Sequence, residues 1–176
     1  MPVINPTGVT AQGNVKLIFV ATVVSQVAPK LTETGAASSL DLSCFIYEGG
    51  WEAANETNKG PAPRRLCSRV VYEKFGTTTQ SINDLMYTFS PQAAALSDGK
   101  KAYEKLVEGT AGYFVVRYGL DAILTDFAIG QFVNVHPVVL GPQRIGGDTS
   151  DEFAEISVSQ PVAQTGPTVQ NVAMVA

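Results

Sequence analysis

Few side chains in this sequence are suited to chemistry, and their spacing argues against a reaction centre. The one histidine, His136, directly precedes Pro137 in an apolar stretch. A single imidazole per chain supplies neither a two-histidine metal site nor paired acid and base roles, so a structural place in a strand is expected. No G-x-S-x-G nucleophile motif occurs. Ser97-Asp98-Gly99-Lys100 lacks the spacing of a phosphate-binding loop and reads as a helix cap. Asp148, Asp151, Glu152 and Glu155 offer the carboxylate oxygens that calcium takes, but their spacing departs from the EF-hand loop, so they read as a solvated acidic turn. Cys44 and Cys67 have no C-x-x-C spacing and read as buried apolar residues of a reducing compartment rather than as a disulfide. Asn55-Glu56-Thr57 fits a glycosylation acceptor. The N-terminus, however, lacks the basic and apolar regions of a secretory signal. No catalytic residue, cofactor or metal is expected.

The elements that hold these side chains are mostly strands of one domain. A chain of 176 residues suits a single core, and burial of roughly 70% of its unfolded surface makes disulfides or metals unnecessary for folding. Charged residues are 16% and apolar residues 45% of the total. The usual charged fraction is about 25%. So charge-poor an exterior points to surface covered by copies or partners. A formal charge of −4 and a pI near 4.9 exclude adhesive wrapping of nucleic acid, which needs clustered Lys and Arg. The best apolar run, Leu17 to Val24, is strand-length and too short for a membrane helix. Folding in a cytoplasm is the expectation.

Residues 1–14, with Pro2, Pro6, Gly8 and Gly13, read as an extended arm. Val15 to Val24 predicts a strand buried on both faces, and Leu40 to Ile46 a half-buried strand. Arg64 to Phe75 and Ser81 to Phe89 predict a hairpin turning at Gly76 to Thr79. Ser97 and Asp98 cap a short amphipathic helix over about 97–108, the one helix expected. Thr110 to Tyr118 is apolar on both faces until Arg117 and reads as a central strand. In Phe127 to Leu140, Pro137 predicts an edge or a bulge. Phe153 to Val162 alternates as a further strand, and Val169 to Val175 reads as a strand that closes the sheet or lies on a neighbour.

Glu48 to Pro63 has neither periodicity and carries Gly49, Gly50, Gly60, Pro61 and Pro63, which predicts a long loop. Trp51 sits in it, and two placements are open: at an interface, or folded back on its own core. Candidate contacts between copies are Trp51, Glu52, Asn55 and Lys59 of the loop, Arg64 just after it, and Pro137 on the expected edge strand.

The run Val70-Val71-Tyr72-Glu73-Lys74-Phe75-Gly76-Thr77-Thr78-Thr79, followed by Ile82-Asn83-Asp84-Leu85, resembles the major tail tube proteins of long-tailed, siphovirus-type bacteriophages, especially those of actinobacteria. Similar strings follow in order: Pro91-Gln92-Ala93-Ala94, Gly99-Lys100-Lys101-Ala102-Tyr103-Glu104, Gly112-Tyr113-Phe114-Val115-Val116-Arg117, and Asp126-Phe127 with Gly130-Gln131-Phe132-Val133-Asn134-Val135. The likeness spans about 64–166 and none of its strings is a catalytic signature. It implies a mainly β, sandwich or barrel-like fold with one flanking helix; the residue pattern itself sets the domain at 15–166, with an arm at 1–14 and a strand or arm at 167–176. It also implies a virion structural protein whose hexameric rings stack into a hollow tube. DNA would pass through the lumen without specific binding, and other tail proteins, the tape measure and the terminator, would be partners. Two other readings suit the strand pattern: a small-ligand-binding β-barrel, and another virion component such as a decoration or head-tail joining protein.

Overall fold

A computed structural model describes residues 7–176. Its centre is an antiparallel sheet. β1 (Val15–Val20) pairs with β6 (Ala111–Tyr118), which pairs with β7 (Phe132–Leu140). The two-residue β2 (Leu40–Asp41) flanks β1, while β10 (Val162–Gln164) and β11 (Val169–Ala173) share the far side of β7. Both faces of this sheet are buried, as the continuous apolar runs of β1 and β6 predict. Leu17, Phe19, Phe114, Val116, Val138 and Leu140 face one core, and Ile18, Val20, Val115, Val133 and Val135 face the other.

A second sheet lies over the first core: β5 (Leu85–Thr88), β9 (Ser157–Gln160) and β8 (Arg144–Gly146), contributing Leu85, Tyr87 and Val158. The expected helix forms as α2 (Asp98–Lys105) and adds Ala102, with Leu106 just beyond it. The fold is therefore a mainly β sandwich, as expected. Gln160, fully buried, stitches its layers: its Nε2 donates to the carbonyls of Leu106 and Gly141, each at 2.9 Å, and its Oε1 accepts from Tyr87 Oη at 3.1 Å. The second core is covered by the segment after β1, by a one-turn helix α1 (Leu31–Thr34) that the sequence pattern did not reveal, and by Met174 and Val172.

Several expectations are corrected. The long loop is largely a strand: β3 (Ala53–Pro61) pairs with β4 (Glu73–Ile82), from Ala53 opposite Ile82 to Pro61 opposite Glu73. β4 runs straight through Gly76 to Thr79, so the predicted turn is absent there and the connection falls at residues 62–72. Three consecutive threonines extend a strand, because β-branched side chains fit the pleat. After Asp41 the chain turns, with Phe45 and Ile46 donating to Leu42 O, which exposes Cys44. Cys67 is exposed too, so neither cysteine is the buried apolar residue expected.

Pro137 is buried in an interior strand, not on an edge. Its carbonyl accepts from Thr165 N at 3.0 Å, in the link between β10 and β11. A residue's N–H and C=O point to the same side of a strand, so the missing N–H falls at this handover and costs no bond to β6. Of the expected arm, residues 1–6 lie outside the described residues. Gly13 and Asn14 dock by their carbonyls on Ala122 N and Gly119 N, each at 2.9 Å.

Candidate functional site

Chemistry-bearing residues do not converge. His136 lies in β7 with its Nδ1 3.0 Å from Thr168 Oγ1 and its ring edge-on to Trp51, 5.5 Å between centroids. Burial pushes its pKa down from about 6.5 to about 4. Its imidazole is neutral at pH 7 and its Nε2 has no partner. The acidic residues 148, 151, 152 and 155 spread along an exposed loop, where Asp148 accepts from Ser150 and Asp151 from the Phe153 amide as turn caps. Among the described residues no group of three His, Cys, Asp or Glu is arranged to hold a metal.

The sign of the His136 effect follows from that shift. An unfolded chain takes up a proton below pH 6.5, whereas the folded one refuses it until about pH 4. Stability is thus full above pH 6.5 and falls by about 3 kcal/mol as the pH drops through this window. Urea denaturation of the parent at pH 7 and pH 4.5 should reveal the loss, and His136→Leu should flatten that slope; an equal slope in both proteins would count against it.

What the fold does present is surface. The β3–β4 hairpin packs only at its root. Ile82 is buried, Trp51 meets Phe114 with ring centroids 5.0 Å apart, and Asn83 clamps the entry by donating to Gly49 O at 2.9 Å and accepting from Glu52 N. Gly50 is obligatory there, since a Cβ would meet Met86 O at 2.6 Å. Trp51 therefore takes the second of its two open placements, against its own core. From the root the ladder extends over the ten residues of β4, about 30 Å, and from Thr79 outwards the residues of β4 are exposed on both faces. Glu52 is exposed at the root, Asn55 and Lys59 on β3 and Arg64 in the connection. The fold brings these four together on one projection, while Pro137 lies inside and offers no contact. Sequence reading missed the apolar residues displayed beside them: Leu66, Val70, Val71, Tyr72 and Phe75.

A second exposed surface is the loop 119–131, which shows Ile123, Leu124 and Ile129 to solvent. Arg117, 1% exposed, holds it from beneath. Its Nη1 donates to Asp126 O at 2.9 Å and Gln131 Oε1 at 3.2 Å, and its Nη2 to Asp121 O at 2.7 Å and Leu120 O at 3.4 Å. Lys16, its register partner on β1, is equally buried and reaches Asp126 at 3.0 Å and Asp41 at 3.4 Å. Between this loop and Trp51 runs a groove of about 650 Å³, lined by Leu17, Leu42, Ile46, Trp51, Tyr118 and Ile123. It opens at the surface and is not a barrel interior, for the main sheet ends at β2 on one side and at β10 and β11 on the other.

An open sandwich with a projecting ladder and displayed apolar side chains defines a class: a structural subunit built to meet copies of itself. The chain belongs to the phage tail tube protein family, whose model, described as phage tail tube protein, matches residues 1–176. That match extends the likeness over the first 63 residues and the C-terminal strand. It is a family of structural virion proteins, not of enzymes, and it makes this chain a component of the virion tail that assembles with itself and with other tail proteins. No curated protein matches the chain. No helix among the described residues is long and apolar enough to cross a membrane.

Proposed function

We propose that six copies form a ring, that rings stack into a hollow tube, and that the genome leaves the virion through its lumen. The observation that carries this reading is the β3–β4 hairpin. A lone two-stranded ladder is marginal in water, yet this one extends well past its root with apolar side chains on show. Such a projection gains its stability by lying on another subunit, where its strand edges and side chains are covered. Glu52, Asn55, Lys59 and Arg64 are its proposed contacts.

Subunits assemble in the bacterial host cytoplasm under this reading, around a tape measure and up to a terminator. Residues 15–166 act as the tube domain, the N-terminal residues 1–14 as an arm, and residues 167–176 supply a closing strand. Duplex DNA carries about one negative charge per 1.7 Å of axis and adheres to basic walls by counterion release. The net charge of −4 supports a lumen that lets it slide. Negative-stain electron microscopy of the purified chain over a concentration series is the test. Hollow rods of stacked rings are expected, and small monodisperse particles at the highest concentration would overturn the stacked-ring reading.

A further inference from the structure

The chain is acidic, but its charge is not evenly spread. Residues 59–74, the distal part of the hairpin, hold Lys59, Arg64, Arg65, Arg69 and Lys74 against Glu73 alone, a net charge of +4. Taking that from the total of −4 leaves −8 for the remaining residues. Two of the other basic residues, Lys16 and Arg117, are buried, so the hairpin tip is a basic pole on an acidic molecule. Leu66, Val70, Val71, Tyr72 and Phe75 are interleaved with these charges and exposed, Phe75 by 82%. Apolar groups mixed with cations suit a protein surface, since phosphate contact needs no aliphatic burial.

One surface of the same molecule matches this pole in both respects. The connection 147–156 between β8 and β9 carries Asp148, Asp151, Glu152 and Glu155 and no basic residue. It also displays Phe153, 84% exposed, and Ile156, with Ile145 on the adjoining strand. Its shape is set by its own bonds: the Asp148 and Asp151 turn caps, Tyr47 Oη donating to Glu155 at 2.8 Å, and Phe89 N donating to Ile156 O at 3.2 Å.

The topology keeps the two surfaces apart within one chain. The hairpin root at Ile82 is joined by two residues to Leu85, the first residue of β5. The 147–156 connection leaves and re-enters at Gly146 and Ser157, beside Thr88, the last residue of β5. Donor and acceptor thus sit at opposite ends of one strand, the arrangement of a head-to-tail contact that closes into rings or extends as a filament.

We infer that the basic, apolar tip of the hairpin docks on the acidic, apolar 147–156 connection of a neighbouring copy, with Phe153 and Ile156 covered by the aliphatic and aromatic residues of the tip. This rests on the reading that the hairpin lies on another subunit, and it names the surface it lies on. The cysteine of the tip supplies the test. In a full-length chain with Cys44→Ser and Ala154→Cys, Cys67 of one copy and the new thiol of the next should be joined in assembled samples by a short bis-maleimide. The product should be a ladder of covalent oligomers on a denaturing gel. Tubes that form yet give no ladder would overturn the acceptor while leaving the hairpin reading intact. A second variant, Glu152→Lys with Glu155→Gln, spares the two turn-capping aspartates and leaves an oxygen to accept from Tyr47 Oη. It should raise the concentration needed for half-assembly at least about tenfold, because like charges facing across an interface are strongly disfavoured. An unchanged concentration would also overturn the acceptor. Chains that remain single particles with the parent sequence would sink the hairpin reading itself.

Discussion

Replacing Arg117 with methionine should lower the stability of the subunit by about 3 kcal/mol, with the loss falling on the loop 119–131. Two effects oppose each other. Lys16 and Arg117 are directly opposite cations on β1 and β6, and like charges so placed repel. Burial also lowers the Arg117 pKa, while Asp126, Asp121 and Asp41 draw it back up. Removing one cation relieves that repulsion, and a buried ion exchanged for an apolar group of similar shape is often neutral. Here the acceptors decide the sign. The Leu120 and Asp121 carbonyls lose their donor, Asp126 O and Gln131 Oε1 each lose one of two and keep Gln131 Nε2 at 3.3 Å and the Ala128 amide at 3.1 Å, and none of the four acceptors disappears with the substitution. Methionine keeps the packing beneath the Phe127 ring, which lies 5.3 Å from the guanidinium carbon, so the measured loss isolates the hydrogen bonds. Arg117→Lys should recover less than half of it, because one ammonium does not span both pairs of acceptors. Urea unfolding of the three proteins decides the matter; equal midpoints for parent and methionine variant would mean that Asn14 and Gly13 hold the loop instead.

The parts of the fold that were legible in the sequence are those whose side chains meet a core. β1 and β6 are buried on both faces and appear as unbroken β-branched and aromatic runs, and α2 shows its cap and its one apolar side. β3 reads Ala-Ala-Asn-Glu-Thr-Asn-Lys-Gly-Pro because neither of its faces is buried within the subunit. Alternation is the imprint of one-sided burial, so a strand buried on neither face of its own subunit carries no such imprint. The same cause hid the turn: with no core to register against, Gly76 looked like a hairpin apex although it sits in mid-strand. Pro137 misled for a local reason, since a strand interior tolerates proline only where the partner strand on that side changes, and this one falls at the handover from β10 to β11. Glu52, Asn55, Lys59 and Arg64 were grouped in the sequence because unusual length without periodicity marked the segment as a candidate interface, and the structure shows all four exposed on one projection. The basic character of the tip became visible only once the pairing of β3 with β4 set Lys74 opposite Gly60, next to Lys59, and left Arg64 and Arg69 in the connection between the strands.

Excising the distal hairpin should abolish tube formation and leave the subunit folded. Placement of the cut matters. A deletion of Gly50 to Lys59 would remove the buried Gly50 and the half-buried Trp51, whose ring packs on Phe114 and His136. Loss of such a side chain alone costs about 3–5 kcal/mol, so a failure to assemble would then report only unfolding. Residues 56–79 are the cleaner choice. Asn55 and Gln80 are register partners and accept an Asn-Gly link as a two-residue turn. Gln80 must stay, since its Oε1 accepts from Gln164 Nε2 at 2.9 Å and from Thr168 N at 3.0 Å and so ties the root to β10. What is lost is a ladder with both faces in water, in which the Thr57–Thr78 hydroxyl pair is a rare side-chain contact. Such a ladder contributes little to the subunit on its own. The shortened chain should therefore unfold within a few degrees of the parent, while electron micrographs at concentrations where the parent forms rods contain single particles only. Rods at parental yield would assign the stacking contacts to the apolar loop that Arg117 holds and leave the hairpin without a part in assembly.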